Sequence, residues 1–352
     1  MEKESLAFLK RLIAAPSPSG FEQPAQKVMR DEMSRHAGSV STDVHGNVIA
    51  LLNPKAPLRV MLAGHVDEIG LMVRNITDGG YLYCGPIGGV DPTVAVGQRV
   101  VVHGAKGPVP GVIGRKPIHL ADPDDLNKAP KIHQLWIDIG AKDKKDALRA
   151  VGIGDCVTFD EGLTLLRNDL ATARGFDDRM GSFVVAETLR KLKGKKIAVA
   201  VYGVSTVQEE IGLRGARTSA YGIDPHAGIA IDVGHATDCP DVDKNRVGDF
   251  ACGKGPIVAR GANINPILYN MIVAASKQAR IPVQIEGAPG GTGTDANAIQ
   301  ITRAGVAAGL VSVPCRYMHT PCEVISLKDL DQASSLLAAL LARMPAKIDF
   351  TP

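Results

Sequence analysis

The stretch Ile197-Ala-Val-Ala-Val-Tyr-Gly-Val-Ser-Thr-Val207, followed by Gln208-Glu209-Glu210 and the restart Ile211-Gly-Leu-Arg-Gly-Ala216, decides how this chain is read. An unbroken apolar run has the pattern of a parallel strand buried on both faces. The glycine-bearing restart reads as a loop leading into a helix. Open α/β sheets bind their ligands beyond the carboxyl ends of the strands, which is where Glu209 and Glu210 stand. Adjacent side chains diverge, so one carboxylate could hold a cation while the other moves protons. The segment alone leaves a second reading open: two solvated glutamates at a helix N-terminus, favoured there by the helix dipole.

Working outward, Leu6, Leu9, Leu12 and Ile13 repeat at helical spacing over Glu4 to Ala15, and Pro16-Ser-Pro-Ser-Gly20 ends that helix. Ser19 with Glu22 has the capping-box spacing for a second helix reaching about Met33. Val40 to Leu52 reads as strand with a turn at His45-Gly46-Asn47, and Leu58 to Ala63 as a short apolar strand stopping at Gly64-His65. From about 69 to 165 the texture changes to glycine, proline and short β-rich pieces (100–103, 111–114, 156–159), the pattern of a small all-β domain. After Asp177 helices (about 181–193, 266–280, 295–303, 326–343) alternate with strands (197–206, 227–233, 282–285, 306–313). Such alternation predicts an α/β fold with a mostly parallel sheet flanked by helices. The expected architecture is one α/β domain made of 1–68 and 166–352, with a small β-barrel-like domain inserted at 69–165.

Composition narrows the function. Of 352 residues, 45% are hydrophobic and 22% charged, as in an ordinary soluble domain. A formal charge of +3 without a basic run gives no footprint for nucleic acid. With 4% aromatic residues and one tryptophan, there is little surface for stacking sugars. The six cysteines form no CxxC pair, which argues against a disulfide scaffold or a thiolate zinc site. The N-terminus has no apolar signal-peptide core, and no stretch of about 20 apolar residues is present to span a membrane. The expectation is a cytoplasmic protein without membrane or nucleic-acid partners.

Five chemistry-bearing elements fall at or just beyond predicted strand ends: His65, Asp177-Asp178, Glu209-Glu210, Asp232 and His319. Two imidazoles with several carboxylates and no thiolate make a hard, mixed ligand set, suited to catalytic Zn2+, Co2+ or Mn2+. There are enough donors for two ions about 3.5–4 Å apart with a shared carboxylate, and one carboxylate must stay free to move protons. This assembly describes hydrolysis. Taken singly, each element also fits a plain role, such as a helix cap for Asp177-Asp178. His36, His45, His103, His119, His133, His226 and His235 have no comparable context.

At these residues the chain resembles the TET-type (tetrahedral) di-metal aminopeptidases, some of which have also carried the name endoglucanase. The resemblance runs through Pro16-Ser-Pro-Ser-Gly-Phe-Glu22, Gly64-His-Val-Asp-Glu-Ile-Gly-Leu71, Phe176-Asp-Asp-Arg179 and Thr206-Val-Gln-Glu-Glu-Ile-Gly-Leu-Arg-Gly215. It continues through Gly261-Ala-Asn-Ile-Asn-Pro266, Gly293-Thr-Asp-Ala296 and Arg316-Tyr-Met-His-Thr-Pro-Cys-Glu323. It implies two divalent ions per subunit, with Asp177 bridging, His65 and Asp232 completing one site, and Glu210 and His319 the other. It further implies Glu209 as general base and Asp67 as the carboxylate that orients His65, with Asp178 at the helix start rather than on a metal. The implied activity is release of N-terminal residues from short peptides. The implied assembly is a dimer and a hollow tetrahedral dodecamer, joined through the inserted β domain. Thr294 and Asp295 are candidate substrate contacts, with Asp295 expected to cap the next helix. Cys322, where the family usually has an aliphatic residue, is expected to be a small buried hydrophobe. A deacylase of N-acyl amino acids would present a similar metal core, and a non-catalytic scaffold would keep only the fold.

Overall fold

The fold rests on a computed structural model that describes residues 1–120 and 128–352. Its large sheet has eleven strands. Four neighbours at its centre run parallel: Ala200–Thr206, Arg59–His65, Ala227–His235 and Ala307–Arg316. Their side chains are buried on both faces, as the apolar runs require. Antiparallel strands extend the sheet at each side. Val48–Leu52 and Ser39–Thr42 lie beyond Ala200–Thr206, while Glu323–Ser326, Leu170–Ala173 and Thr164–Leu165 lie beyond Ala307–Arg316. Ile257–Gly261 pairs with the Ala307–Arg316 strand and in turn with Gln284–Ala288. The sheet is therefore mixed, with its parallel pairing concentrated where the site lies.

Helix Phe176–Leu192 crosses one face and is buried along almost its whole length, packing Phe183 against Phe8 of helix Lys3–Ala14 with ring centroids 5.3 Å apart. Gly64 and Gly181 allow this close approach, since a side chain at Gly64 would strike the backbone of Gly181 and Ser182. Helix Leu327–Leu341 adds Leu330, Ala333, Leu336 and Leu337 to the same core.

Residues 70–159 form a closed six-stranded antiparallel barrel from Gly70–Ile76, Leu82–Ile87, Arg99–Gly104, Gly107–Gly114, Trp136–Asp138 and Cys156–Phe159. Its interior holds Leu71, Val73, Leu82, Val100, Val102, Ile113, Ile137, Val157 and Phe159, separate from the core of the large sheet. Closure leaves no free strand edge. Thr164–Leu165, at the end of the range expected for the insertion, pairs instead with the large sheet.

Several local expectations differ from the structure. Ser19 and Glu22 form no capping box: the Ser19 hydroxyl donates to Asp67, and Glu22 accepts from the Gly20 amide. The apolar run from Ile197 becomes strand only at Ala200. Asp232 lies inside its strand, which continues to His235 because its pairing with Ala307–Arg316 persists that far. Cys322 is exposed, beside the Thr320 hydroxyl, and not a buried hydrophobe. Among the described residues, no helix is long and apolar enough to cross a membrane.

Candidate active site

The four central parallel strands deliver their carboxyl ends to one rim, and the site is built there. His65 is the last residue of Arg59–His65 and is 1% exposed. Glu209 and Glu210 follow Ala200–Thr206, Asp232 sits near the end of Ala227–His235, and His319 lies in the loop after Ala307–Arg316. Asp177 comes from the start of helix Phe176–Leu192, where it and Asp178 have non-helical backbone angles and are joined by a cis peptide bond.

Asp177 is the centre of the cluster. His65 Nε2 lies 3.3 Å from one of its carboxylate oxygens and His319 Nε2 lies 3.3 Å from the other. Each imidazole faces a second carboxylate: His65 with Asp232 at 4.0 Å, His319 with Glu210 at 3.6 Å. Glu209 approaches His65 Nε2 at 3.7 Å. Both Nδ1 atoms are committed elsewhere, 3.0 Å from the Asp67 carbonyl and 2.9 Å from the Gly89 carbonyl. A carbonyl only accepts, so each Nδ1 carries a proton, and Nε2 is the ring nitrogen that each imidazole turns to the cluster.

The supporting groups act mostly through backbone amides. The Asp67 carboxylate accepts from the amides of Glu209 (3.0 Å) and Glu210 (3.2 Å) and from the Ser19 hydroxyl (2.7 Å). It therefore fixes the Glu209-Glu210 loop. Its hold on His65 comes through its main-chain oxygen, while its carboxylate stays 3.4 Å from Nδ1. Asp178 does not line the cavity; its carboxylate accepts from the amides of His65 and Gly181. Sequence reasoning gave Glu323 no role, yet one oxygen accepts from the Asp177 amide and the other from the His319 amide, both at 3.0 Å. Its signal was its place four residues after His319 on a strand pairing with the rim. Glu68 is bound by Arg174, Arg179 and the Ser17 amide. Arg179, wholly buried, also ties down the carbonyls of Ile13 and Ala15. Gly88 and Gly89, at the barrel's edge, leave no room for side chains beside Glu210 and His319.

The cavity in front of the cluster has a volume of about 260 Å³ and is also lined by His235, Glu286, Thr292, Thr294, Leu310 and Met318. Thr294 thus reaches the wall and also caps helix Asp295–Gln300 through the Ala296 amide. Asp295 neither caps nor lines the cavity. It is 2% exposed and accepts from the Thr206 hydroxyl at 2.6 Å. His235, set aside on sequence grounds, is on the wall because its strand runs on past Asp232.

With protein groups alone the cluster is electrostatically crowded. Burial pushes Glu209 up to about 9, with Asp232, Asp295 and Glu210 adding to the shift, and burial with Asp177 pushes Glu210 up to about 7. Burial and Asp177 raise Asp232 well above the carboxylate range. Burial opposes the charge on Asp177, but the two imidazoles outweigh it and hold that carboxyl low. The Asp177 hydrogen bond raises His319 to about 10. One oxygen of Glu210, Oε1, is buried without a hydrogen-bond donor. Oxygen and imidazole donors that face one another, compete for protons and leave a buried oxygen unsatisfied fit divalent cations, which reverse this pKa order. His65, Asp177 and Glu210 place donor atoms within 4.8 Å of one another, and so do His65, Asp178 and Asp232.

Comparison with known proteins places this fold and rim among the peptidases. A family model described as M42 glutamyl aminopeptidase matches residues 46–336, and the chain belongs to that family. Lysyl aminopeptidase of Pyrococcus furiosus is 39% identical over 348 residues, covering 98% of this chain and 99% of its own. A TET aminopeptidase from a marine-sediment Thaumarchaeota archaeon superposes with a TM-score of 0.93 at 35% identity, covering 97% of both chains. The Pyrococcus horikoshii TET1 peptidase, described as able to assemble into a tetrahedron or a large octahedral shell, superposes with a TM-score of 0.87 at 31% identity. That match covers 97% of this chain and 100% of the other.

Proposed function

We propose that this enzyme is a metal-dependent aminopeptidase that removes N-terminal residues from short, unblocked peptides. The observation that carries the reading is the arrangement about Asp177, with one Nε2 on each oxygen and a second carboxylate beside each imidazole. On this reading His65, Asp177, Glu210, Asp232 and His319 would together hold two divalent cations. Zinc, cobalt or manganese suits this donor set. When bound, such ions acidify a water and polarise the scissile carbonyl.

The chain's own residues supply the remaining work. Glu209 belongs to neither ligand set and stands beside the cluster, 3.7 Å from His65 Nε2, so it is the carboxylate left free to accept and return a proton there. It takes the proton of the attacking water and delivers it to the amine nitrogen as the C–N bond breaks. Asp67 and Glu323 keep the glutamate loop, Asp177 and His319 in register by holding their amides. The free α-amino group of the substrate binds beside the cluster carboxylates, which makes the outcome exopeptidic.

Assembly as dimers and a tetrahedral dodecamer through the 70–159 barrel is part of the proposal, supported by the tetrahedral assembly of the Pyrococcus horikoshii TET1 peptidase. A cytoplasmic setting is supported by six unpaired cysteines. The direct test compares an unblocked peptide with its N-acetylated twin by mass spectrometry, before and after chelation and re-addition of cobalt or zinc. Sequential loss of N-terminal residues from the free peptide only, and only with metal, is expected. Release of acetyl amino acids would instead identify a deacylase.

A further inference from the structure

Asn47 closes the turn His45-Gly46-Asn47 and is wholly buried, although it does not line the cavity. Its side-chain oxygen accepts from the Val207 amide at 3.1 Å. Its side-chain nitrogen donates to Asp43 Oδ2 at 2.7 Å and to Thr218 Oγ1 at 3.0 Å. Asp43 is itself fixed, since its Oδ1 accepts from the amides of His45, Gly46 and Asn47. One amide group thus joins the turn, helix Arg214–Ile223 and the neck of the loop that carries Glu209 and Glu210. Gly215 closes that neck from the other side, its amide donating to the Val207 carbonyl at 2.9 Å. A side chain at Gly215 would strike Asn47 Oδ1 and both the nitrogen and the oxygen of Val207. Between neck and tip lies Gln208. Its φ of 56° is in the left-handed region, which a residue other than glycine holds only where its surroundings impose it. Here two clamps impose it: Asn47 holds the amide before Gln208, and Asp67 holds the amide after it. Asp67 fixes where the Glu209 amide sits, and Asn47 fixes the direction from which the chain reaches it.

We infer that Asn47 is a positioning residue for Glu209, enforcing the reversal at Gln208 that brings the Glu209 carboxylate to 3.7 Å from His65 Nε2. The inference rests on the aminopeptidase reading, with Glu209 as its base, and adds a residue to it. Only an amide serves at this place, because the contacts ask for an acceptor toward Val207 and donors toward Asp43 and Thr218. Val207 is buried, so water cannot take over the bond to its amide.

The experiment measures kcat and KM of cobalt-loaded enzyme on the fastest substrate from a panel of aminoacyl amidomethylcoumarins. Asn47→Asp sets two carboxylates against each other at Asp43 and is expected to lower kcat about 10- to 100-fold, as a misplaced group does. KM should stay within about threefold of wild type, and metal bound per chain should not change. Asp43→Asn breaks the same contact from its other side, with the same result expected, and serves should Asn47→Asp not fold. Asp43→Asn combined with Asn47→Asp restores one donor and one carboxylate across the contact, and kcat should return to within about threefold of wild type. A merely structural role would show the same rescue, so the deciding step repeats Asn47→Asp in enzyme that already carries Glu209→Gln. There it should cost less than about threefold in kcat, because the group it positions is already disabled. An equal loss in both backgrounds, a rise in KM or a loss of metal in place of the fall in kcat, or a double variant no better than the singles overturns the assignment. If Glu209→Gln alone leaves kcat unchanged, the reading of Glu209 as base falls and this assignment with it; an unchanged kcat in Asn47→Asp beside an impaired Glu209→Gln overturns the assignment alone.

Discussion

Glu209→Gln keeps the outline of the side chain and removes its capacity to take a proton, so kcat should fall about 10²–10⁴-fold while bound metal per chain stays unchanged. Pre-steady-state kinetics alongside elemental analysis separates the two quantities, and loss of metal in this variant would mean that Glu209 is a ligand instead. Glu323 works differently. Glu323→Leu frees the amides of Asp177 and His319 together, and metal affinity should weaken about 10- to 100-fold, as for other groups that orient ligands. Isothermal titration with zinc reads that change, and unaltered affinity would remove Glu323 from the account. At this scale the meeting of His65, Glu209, Glu210, Asp232 and His319 on one rim was legible, because each follows or ends a strong apolar run. The part played by Glu323 was not, because it acts through main-chain amides. Asp295 was misread as a cap because the motif does not show that Thr294 turns its hydroxyl to the Ala296 amide.

Among the elements, the start of helix Phe176–Leu192 and the loop after Arg59–His65 are joined through one buried ionic network. Burial favours the neutral form of Glu68, yet Arg174 and Arg179 outweigh it and hold the carboxyl below its ordinary range. A folded pKa that is lowered adds stability that is complete above the unfolded value of about 4.3 and is lost as pH falls through the lowered one. Arg179→Met leaves Glu68 with less of its support and should cost about 3–5 kcal/mol at neutral pH. It should also move acid unfolding to higher pH, both measurable by urea titration across pH 3 to 7. An unchanged acid midpoint would contradict this. The alternation of strands and helices after Asp177 was readable from periodicity, as were the short β pieces between 100 and 159. The capping box at Ser19 and Glu22 was not realised, because Asp67, 48 residues away, claims the Ser19 hydroxyl. Spacing within a segment cannot show such a competitor.

On the scale of the whole molecule, the barrel does more than extend the fold, since Gly89 at its edge fixes the Nδ1 of His319 and with it the direction of Nε2. Sedimentation should show a species of twelve chains in equilibrium with dimers, and a monomer at all concentrations would refute the assembly. The central claim is that two cations, held around Asp177, serve one hydrolytic site. The measurement that tests it most directly titrates metal-free enzyme with cobalt, following ions bound per chain and release of N-terminal residues from an unblocked peptide together. The account predicts that activity saturates only as the second ion per chain binds, and that Asp177→Asn abolishes both the second binding step and the activity. Full activity at one ion per chain, or undiminished activity in excess chelator, would contradict it.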